Sequence, residues 1–461
     1  MTINIEKNLQ TESLEPTESL EPTESLEPTE SLEPETVSQE DKNQNTLKSN
    51  GRDRLLFVLT LGALTSLGPM AVDLYLPAIP AIAKAMGEPL SVIQFTLSAY
   101  TMGFALGQLL YGPLSDRFGR RKIMFPGLVA FLVTSVMAAL CENGLQLIIV
   151  RVLQAMAGAA VMVTIPAMVR DLFSRQESAK VMSSILMVVT VAPLIAPLLG
   201  GQMLKFMGWE SLFIFLAVLS AFAVVLAVSK VPETLPQERR LVVPASQLGM
   251  TYLSVLKNRE AVGCILSHAF FFGGMFAFIA GSPYVYIELY GVKPEHYGLL
   301  FAVNILAMMA MNMINIRLID RLPLFTILKA GSILATISAV VMMINAKFEI
   351  GGLVGLVIPV VIYISCIGLT GPNSNALALS HFPRSAGTAN AMAGALRFTI
   401  GGVSSAVVGL FHNGTQLPMT AVIAVCGVLS FASLLLVKNQ GIPLDERATK
   451  GTPDSETGAC A

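Results

Sequence analysis

Twelve apolar runs, each close to the length a helix needs to cross a bilayer, leave this chain a single broad class of fold. A helix needs about 20 apolar residues to traverse the hydrocarbon core. Runs that qualify lie near 55–79, 92–113, 123–141, 146–169, 180–204 and 210–230, and again near 262–287, 297–318, 326–346, 351–375, 386–410 and 417–437. A polar stretch, 231–259, separates the first six from the last six. Only 13% of the residues are charged and 53% are hydrophobic. A soluble protein of this size carries about 25% charged residues, so too little polar material is present to cover a globular surface. The expected fold is an all-α membrane protein with twelve transmembrane helices in two pseudo-symmetric six-helix bundles.

The chain divides accordingly. Residues 11–34 are four tandem copies of Thr-Glu-Ser-Leu-Glu-Pro. Glutamate repulsion and one leucine per copy cannot bury enough surface to offset chain entropy, so 1–50 reads as a disordered acidic tail. The N-terminal bundle spans 51–230, the central cytoplasmic loop 231–259, the C-terminal bundle 260–437 and a polar cytoplasmic tail 438–461.

Orientation follows from the cations. With the N-terminus in the cytoplasm, the inside segments hold sixteen lysines and arginines, among them Arg117, Arg120, Arg121, Lys122, Arg170 and Arg384. The outside segments hold four: Lys84, Lys205, Lys293 and Lys347. This bias places both termini inside.

Several function classes are disfavoured. The net charge of -1 offers no basic surface for nucleic acid. The cysteines and the four histidines, His268, His296, His381 and His412, are scattered. They form no metal-ligand spacing and read as packing or loop residues. No phosphate-binding glycine loop and no nucleophile context occur, so no catalytic residues, metal or cofactor are expected. The expected partners are protons, small molecules and the lipid bilayer, with the chain as a monomer.

The most specific motif is Gly112-Pro-Leu-Ser-Asp116-Arg117-Phe-Gly119-Arg120-Arg121-Lys122, in the turn between the second and third runs. Gly112 would allow a neighbouring helix to come close, and Gly119 a tight turn. Asp116 would face the positive N-terminal end of another helix. A plain positive-inside loop explains the cations but not the Gly/Asp/Gly spacing. In the second half, Ile316-Arg-Leu-Ile-Asp320-Arg321-Leu-Pro323 keeps Asp-Arg and loses both glycines.

On this turn the chain resembles the major facilitator superfamily. Arg151-Val-Leu-Gln154-Ala155-Met-Ala157-Gly158 is similar to that superfamily's fourth-helix arginine motif, with alanines for two glycines. Ala192-Pro193-Leu-Ile-Ala196-Pro197-Leu-Leu-Gly200-Gly201 resembles its fifth-helix antiporter element, with alanines for the leading glycines. Asp73-Leu-Tyr75-Leu-Pro77-Ala, Pro232-Glu-Thr-Leu-Pro, Ser282-Pro-Tyr-Val-Tyr-Ile-Glu288 and Gly387-Thr-Ala-Asn-Ala-Met-Ala-Gly394 narrow the resemblance to the Bcr/CflA drug-efflux group. The resemblance implies proton-coupled antiport of drugs across the bacterial inner membrane by alternating access. A nutrient or metabolite carrier, such as a symporter, and a non-transporting membrane sensor are the alternatives.

Individual residues then acquire expected roles. Asp73, the one acid in the interior of the apolar runs of the first half, is expected to carry the proton, with Arg151 adjusting its affinity. The alternatives are a static Asp73 at the outer interface and an Arg151 that snorkels outward. Gating is expected from Gly112, Asp116, Arg117, Gly119, Arg120, Pro197, Gly200 and Gly201. Asp171 would pair with Arg117 or stay solvated. Tyr75, Gln154, Phe272, Phe276, Met308 and Arg397 are candidate substrate contacts, with a structural tie the alternative for Arg397.

Overall fold

The computed structural model describes residues 51–240, 252–382 and 386–437. The acidic repeat tail, residues 241–251 of the central loop, Arg384 and the tail from 438 lie outside the described residues. Twelve helical spans are present: α1 (Arg54–Met86), α2 (Leu90–Phe118), α3 (Arg120–Ala139), α4 (Gly144–Leu172), α5 (Gln176–Met207), α6 (Glu210–Lys230), α7 (Arg259–Leu289), α8 (Pro294–Ile319), α9 (Leu324–Phe348), α10 (Gly352–Ser380), α11 (Gly387–Leu410) and α12 (Leu417–Leu436). All are long and apolar enough to span a membrane. Their lipid-facing sides carry leucine, valine, isoleucine and phenylalanine, as with Leu106, Val218, Phe222 and Ile337.

Local chemistry sets the ends. Asn143 caps α4 by accepting from the Gln146 amide at 3.0 Å. Asn258 caps α7 through the Ala261 amide at 3.0 Å. Ser174 and Glu177 form a reciprocal capping box at the start of α5. That box starts α5 several residues before the apolar run near 180.

The turn between α2 and α3 is tighter than the apolar runs imply. Helix α2 continues through Pro113 to Phe118, and α3 begins at Arg120. Gly119 alone makes the turn, at φ 108°. A side chain is strongly disfavoured in that backbone region, which glycine enters freely.

Several spans are irregular, α10 at Cys366 and α12 at its 3-10 end among them. The α-helix of α1 stops at Asp73, passes through a 3-10 turn at Leu76–Ala78 and resumes at Ile79–Met86. Pro77 falls in this break and Pro80 in the first turn of the resumed helix, where their missing N–H groups cost least. The α7 span ends in a π-helical turn, Tyr284–Leu289.

Spans α1–α6 and α7–α12 form the two bundles, which meet mainly along α2–α11 and α5–α8. Glycines allow these close approaches. A Cβ at Gly394 would lie 1.9 Å from Gln108 Oε1, and one at Gly298 would lie 2.6 Å from the Leu198 nitrogen.

Candidate functional site

The end of the molecule that carries the Gly112–Lys122 turn is held by an ion-pair network centred on Arg120. Its guanidinium contacts Asp116 and reaches Asp171 Oδ2 at 3.1 Å. It also donates to Ser115 Oγ at 2.9 Å. The positive end of α3 is met by Glu233, not by Asp116. Glu233 accepts from the backbone amides of Arg120 and Arg121 at 2.9 and 3.2 Å. Asp171 pairs with Arg120 rather than with Arg117, which is exposed and lies over the Phe118 ring. Gly112 has nothing within 4 Å of where a Cβ would stand, so no helix uses its small size. The equivalent turn in the second half has no such network. Among the described residues Asp320 and Arg321 make no ion pair.

Arg151 lies in the core of the first bundle and is 0% exposed, which rules out snorkelling. Its guanidinium stands 4.9 Å from the Tyr75 ring centre and 4.3 Å from that of Tyr100. Phe213 closes a third side at 6.0 Å. Nη1 donates to Gln154 Oε1 at 2.7 Å, and Gln154 Nε2 donates to Ser135 Oγ at 2.8 Å. Nε and Nη2 have no partner. A cation stripped of water is thus held by ring faces and one amide. Tyr75 and Gln154, read from sequence as substrate contacts, are instead packed around this arginine. Both are fully enclosed, and the Tyr75 hydroxyl lies 2.6 Å from Thr96 Oγ1.

Asp73 sits where α1 breaks and is 5% exposed. Among the described residues it makes no hydrogen bond and no ion pair. No salt bridge joins it to Arg151. The break itself lies on the seam between the bundles, packed against α5, α7 and α8. Tyr297 of α8 and Tyr100 of α2 are within electrostatic range of the carboxylate. The seam is tight at this end. A Cβ at Gly201 would lie 2.5 Å from the Pro294 carbonyl oxygen of the other bundle, and within the first bundle one at Gly200 would lie 2.1 Å from that of Leu74. Pro197 is buried one turn earlier in the same span. Lys205 and Glu295 pair across the seam at 3.0 Å, and Gln94 Nε2 donates to the Ala280 carbonyl at 3.2 Å.

At mid-depth, four phenylalanines from three spans form one cluster across the seam. The Phe398 ring lies 4.5 Å from Phe104, 5.2 Å from Phe272 and 6.2 Å from Phe276. Phe272 and Phe398 are only half-buried and present open ring surface. Met308 packs on the edge of the core, and Met309 and Met313 face outward. Arg397, next to Phe398, lines a small cavity with His268 of α7. Sequence reasoning missed Glu233 as a cap, Tyr100, Phe104, Phe398 and His268. One signal was available: His268 and Phe272 are four residues apart and share a helix face.

Comparison with known proteins agrees with this architecture. The profile of the Major Facilitator Superfamily matches residues 61–406. A "Bicyclomycin resistance protein homolog" from Haemophilus influenzae is 31% identical, across 85% of this chain and 98% of that protein. An uncharacterized MFS-type transporter from Bacillus subtilis is 35% identical, across 83% of this chain and 96% of that protein. "Multidrug resistance protein D" from Escherichia coli is 26% identical, across 83% and 95%. Among solved structures, a D-xylose-proton symporter superposes with a TM-score of 0.65 at 17% identity, covering 83% of this chain and 97% of the symporter. A nucleoside transporter superposes with 0.66 at 15% identity, covering 83% and 100%. At such identities the likeness concerns the fold.

Proposed function

The chain belongs to the major facilitator superfamily, and from that premise we propose that it exports small-molecule drugs from the bacterial cytoplasm in exchange for protons. Membership makes it a multi-pass membrane transporter. The relatives named for bicyclomycin and multidrug resistance support the cargo class.

One observation carries the coupling. Asp73 is a buried carboxylate with no hydrogen-bond donor, placed at the helix break where α5, α7 and α8 converge. Burial without a donor disfavours the ionised form of such an acid. A bound proton removes that cost while the seam is closed. Parting the bundles at this end would break the Lys205–Glu295 and Gln94–Ala280 contacts and admit water to Asp73. The lysine and arginine bias puts this end outside, so protons load from there. Arg151 acts on Asp73 through the Tyr75 and Tyr100 layer rather than by direct pairing. Gly201 shapes the outer seam, Gly200 seats α5 against α1, and Pro197 lies one turn earlier in α5. Asp116, Arg120, Asp171 and Glu233, with Gly119, form the cytoplasmic latch. Drug would lie against the phenylalanine cluster as the two bundles rock about it.

The decisive experiment uses inverted membrane vesicles with an acid lumen. Adding drug should release lumenal protons with the wild-type chain and not with Asp73→Asn, while both proteins insert equally. Undiminished exchange in Asp73→Asn would remove Asp73 from the mechanism. Proton movement in the same direction as substrate would make the chain a symporter.

A further inference from the structure

The second bundle contains a set of hydrogen-bond donors that neither proton coupling nor packing uses. His268 of α7 is 6% exposed, and its Nδ1 has no partner. Arg397 of α11 lies within electrostatic range of it. Among the described residues the Arg397 guanidinium makes no hydrogen bond and no ion pair, and the Asn375 carboxamide of α10 makes no hydrogen bond. These three groups line one narrow cavity, which must widen to take more than a water. Ser374 also lines it, but its hydroxyl already donates to the Cys264 carbonyl at 2.7 Å. No acid lines the cavity. Glu260, on the same span as His268, is engaged by His381 at 3.2 Å.

Buried polar groups are normally paired, and each exception asks for a cause. His268 Nδ1 is such an exception, and the half-buried Arg397 guanidinium beside it has no counter-ion among the described residues. Two basic groups and an amide facing one space, with no acid among them, are complementary to an anion. Guanidinium matches the planar two-oxygen geometry of a carboxylate especially well. His268, which lines the cavity, also neighbours the aromatic wall. The His268 ring is 6.3 Å from Phe272, and Phe272 is 5.2 Å from Phe398. A molecule with an acid at one end and an aromatic body at the other would satisfy both features together.

We propose that Arg397, His268 and Asn375 bind the carboxylate of an amphipathic aromatic acid whose ring system lies on Phe272 and Phe398. This deepens the export reading by naming a cargo class, and it rests on that reading for the direction of transport. It does not depend on Asp73.

The test is equilibrium binding of 2-naphthoate and its neutral counterpart 2-naphthamide to the full chain in lipid nanodiscs. The wild type should bind the acid about tenfold or more tightly than the amide, the worth of one good charge-assisted contact. Arg397→Gln should abolish that preference and Arg397→Lys should restore part of it. Asn375→Ala, a mild change at a half-buried position, should reduce it several-fold, and it serves if Arg397→Gln does not fold. Equal affinity for acid and amide in the wild type overturns the proposal, as does a preference that survives Arg397→Gln or, where that variant does not fold, Asn375→Ala. Export of a neutral drug is followed separately in proteoliposomes. Export without acid preference sinks the anion site alone, and acid preference without any export sinks the export reading alone.

Discussion

The guanidinium of Arg151 stands 4.3 Å from the ring centre of Tyr100, and no carboxylate pairs with it. The Tyr100 hydroxyl in turn donates to the Gly68 carbonyl of α1 at 3.1 Å. One side chain therefore joins the buried cation to the span that carries Asp73.

Tyr100 should accordingly show graded effects. Tyr100→Phe keeps the ring face and loses the hydrogen bond, for about 1 kcal/mol of stability. Tyr100→Leu also loses the cation–π contact, for about 2 kcal/mol more in a desolvated site. Thermal unfolding in detergent would rank them. Equal melting of the two variants would mean that the ring face contributes nothing.

At the turn between α2 and α3, Arg120 and Arg117 should behave differently despite their shared motif. Arg120→Gln removes the partner of Asp116 and Asp171 at once and should slow transport strongly. Arg117→Gln touches neither acid and should change rate and stability little, within about 0.5 kcal/mol. Transport assays at matched expression would separate them.

Gly119→Ala should be costly twice over. Its φ of 108° disfavours a side chain, and the new Cβ would lie 2.6 Å from Glu233 Oε2. A loss of about 1–3 kcal/mol is expected, read as reduced yield and a lower melting temperature. Gly112→Ala, where no atom lies within 4 Å, should be near neutral.

The outer seam should be sensitive to small additions. Gly201→Ala places a methyl 2.5 Å from the Pro294 carbonyl oxygen of the other bundle. It should force α5 and α8 apart and shift the population toward the outward-open form. Spin labels at the outer ends of α5 and α8 should report a longer mean distance. An unchanged distance distribution would show that the seam accommodates the methyl.

His412 gives a pH-dependent prediction outside the spans. Partial burial holds its imidazole below the usual value of 6.5, and its ring meets Tyr284 edge-on at 4.4 Å. Folding therefore favours the neutral ring. The contribution is complete above about pH 6.5 and is lost as pH falls through that value into the acid range. His412→Asn should flatten the acid side of a stability-against-pH curve relative to wild type.

The twelve crossings and the Gly112–Lys122 turn were legible in the sequence because each is local. Apolar length marks a span, and glycine beside charge marks a turn. The partners of those charges were not legible. Glu233 lies far along the chain from Arg120, and His268 is separated from Arg397 by most of the second bundle. Sequence spacing fixes which residues share a helix face, but neighbouring spans set how that face is rotated. Asp73 and Arg151 stood out as charges in apolar runs. That aromatic faces surround Arg151, and that α1 breaks at Asp73, depended on packing between spans.

The cage around Arg151 has a consequence for energetics on a larger scale. Ring faces stabilise a cation without cancelling its charge. Arg397 is likewise without a counter-ion, while Asp73 is neutral whenever it holds its proton. Under the proposed coupling, the protein's interior changes net charge by one unit with each proton bound. A unit charge moved across the full membrane potential exchanges about 2.3 kcal/mol per 100 mV. Any rocking that carries these arginines through part of that field makes the return stroke voltage-sensitive, and differently so for the loaded and empty forms.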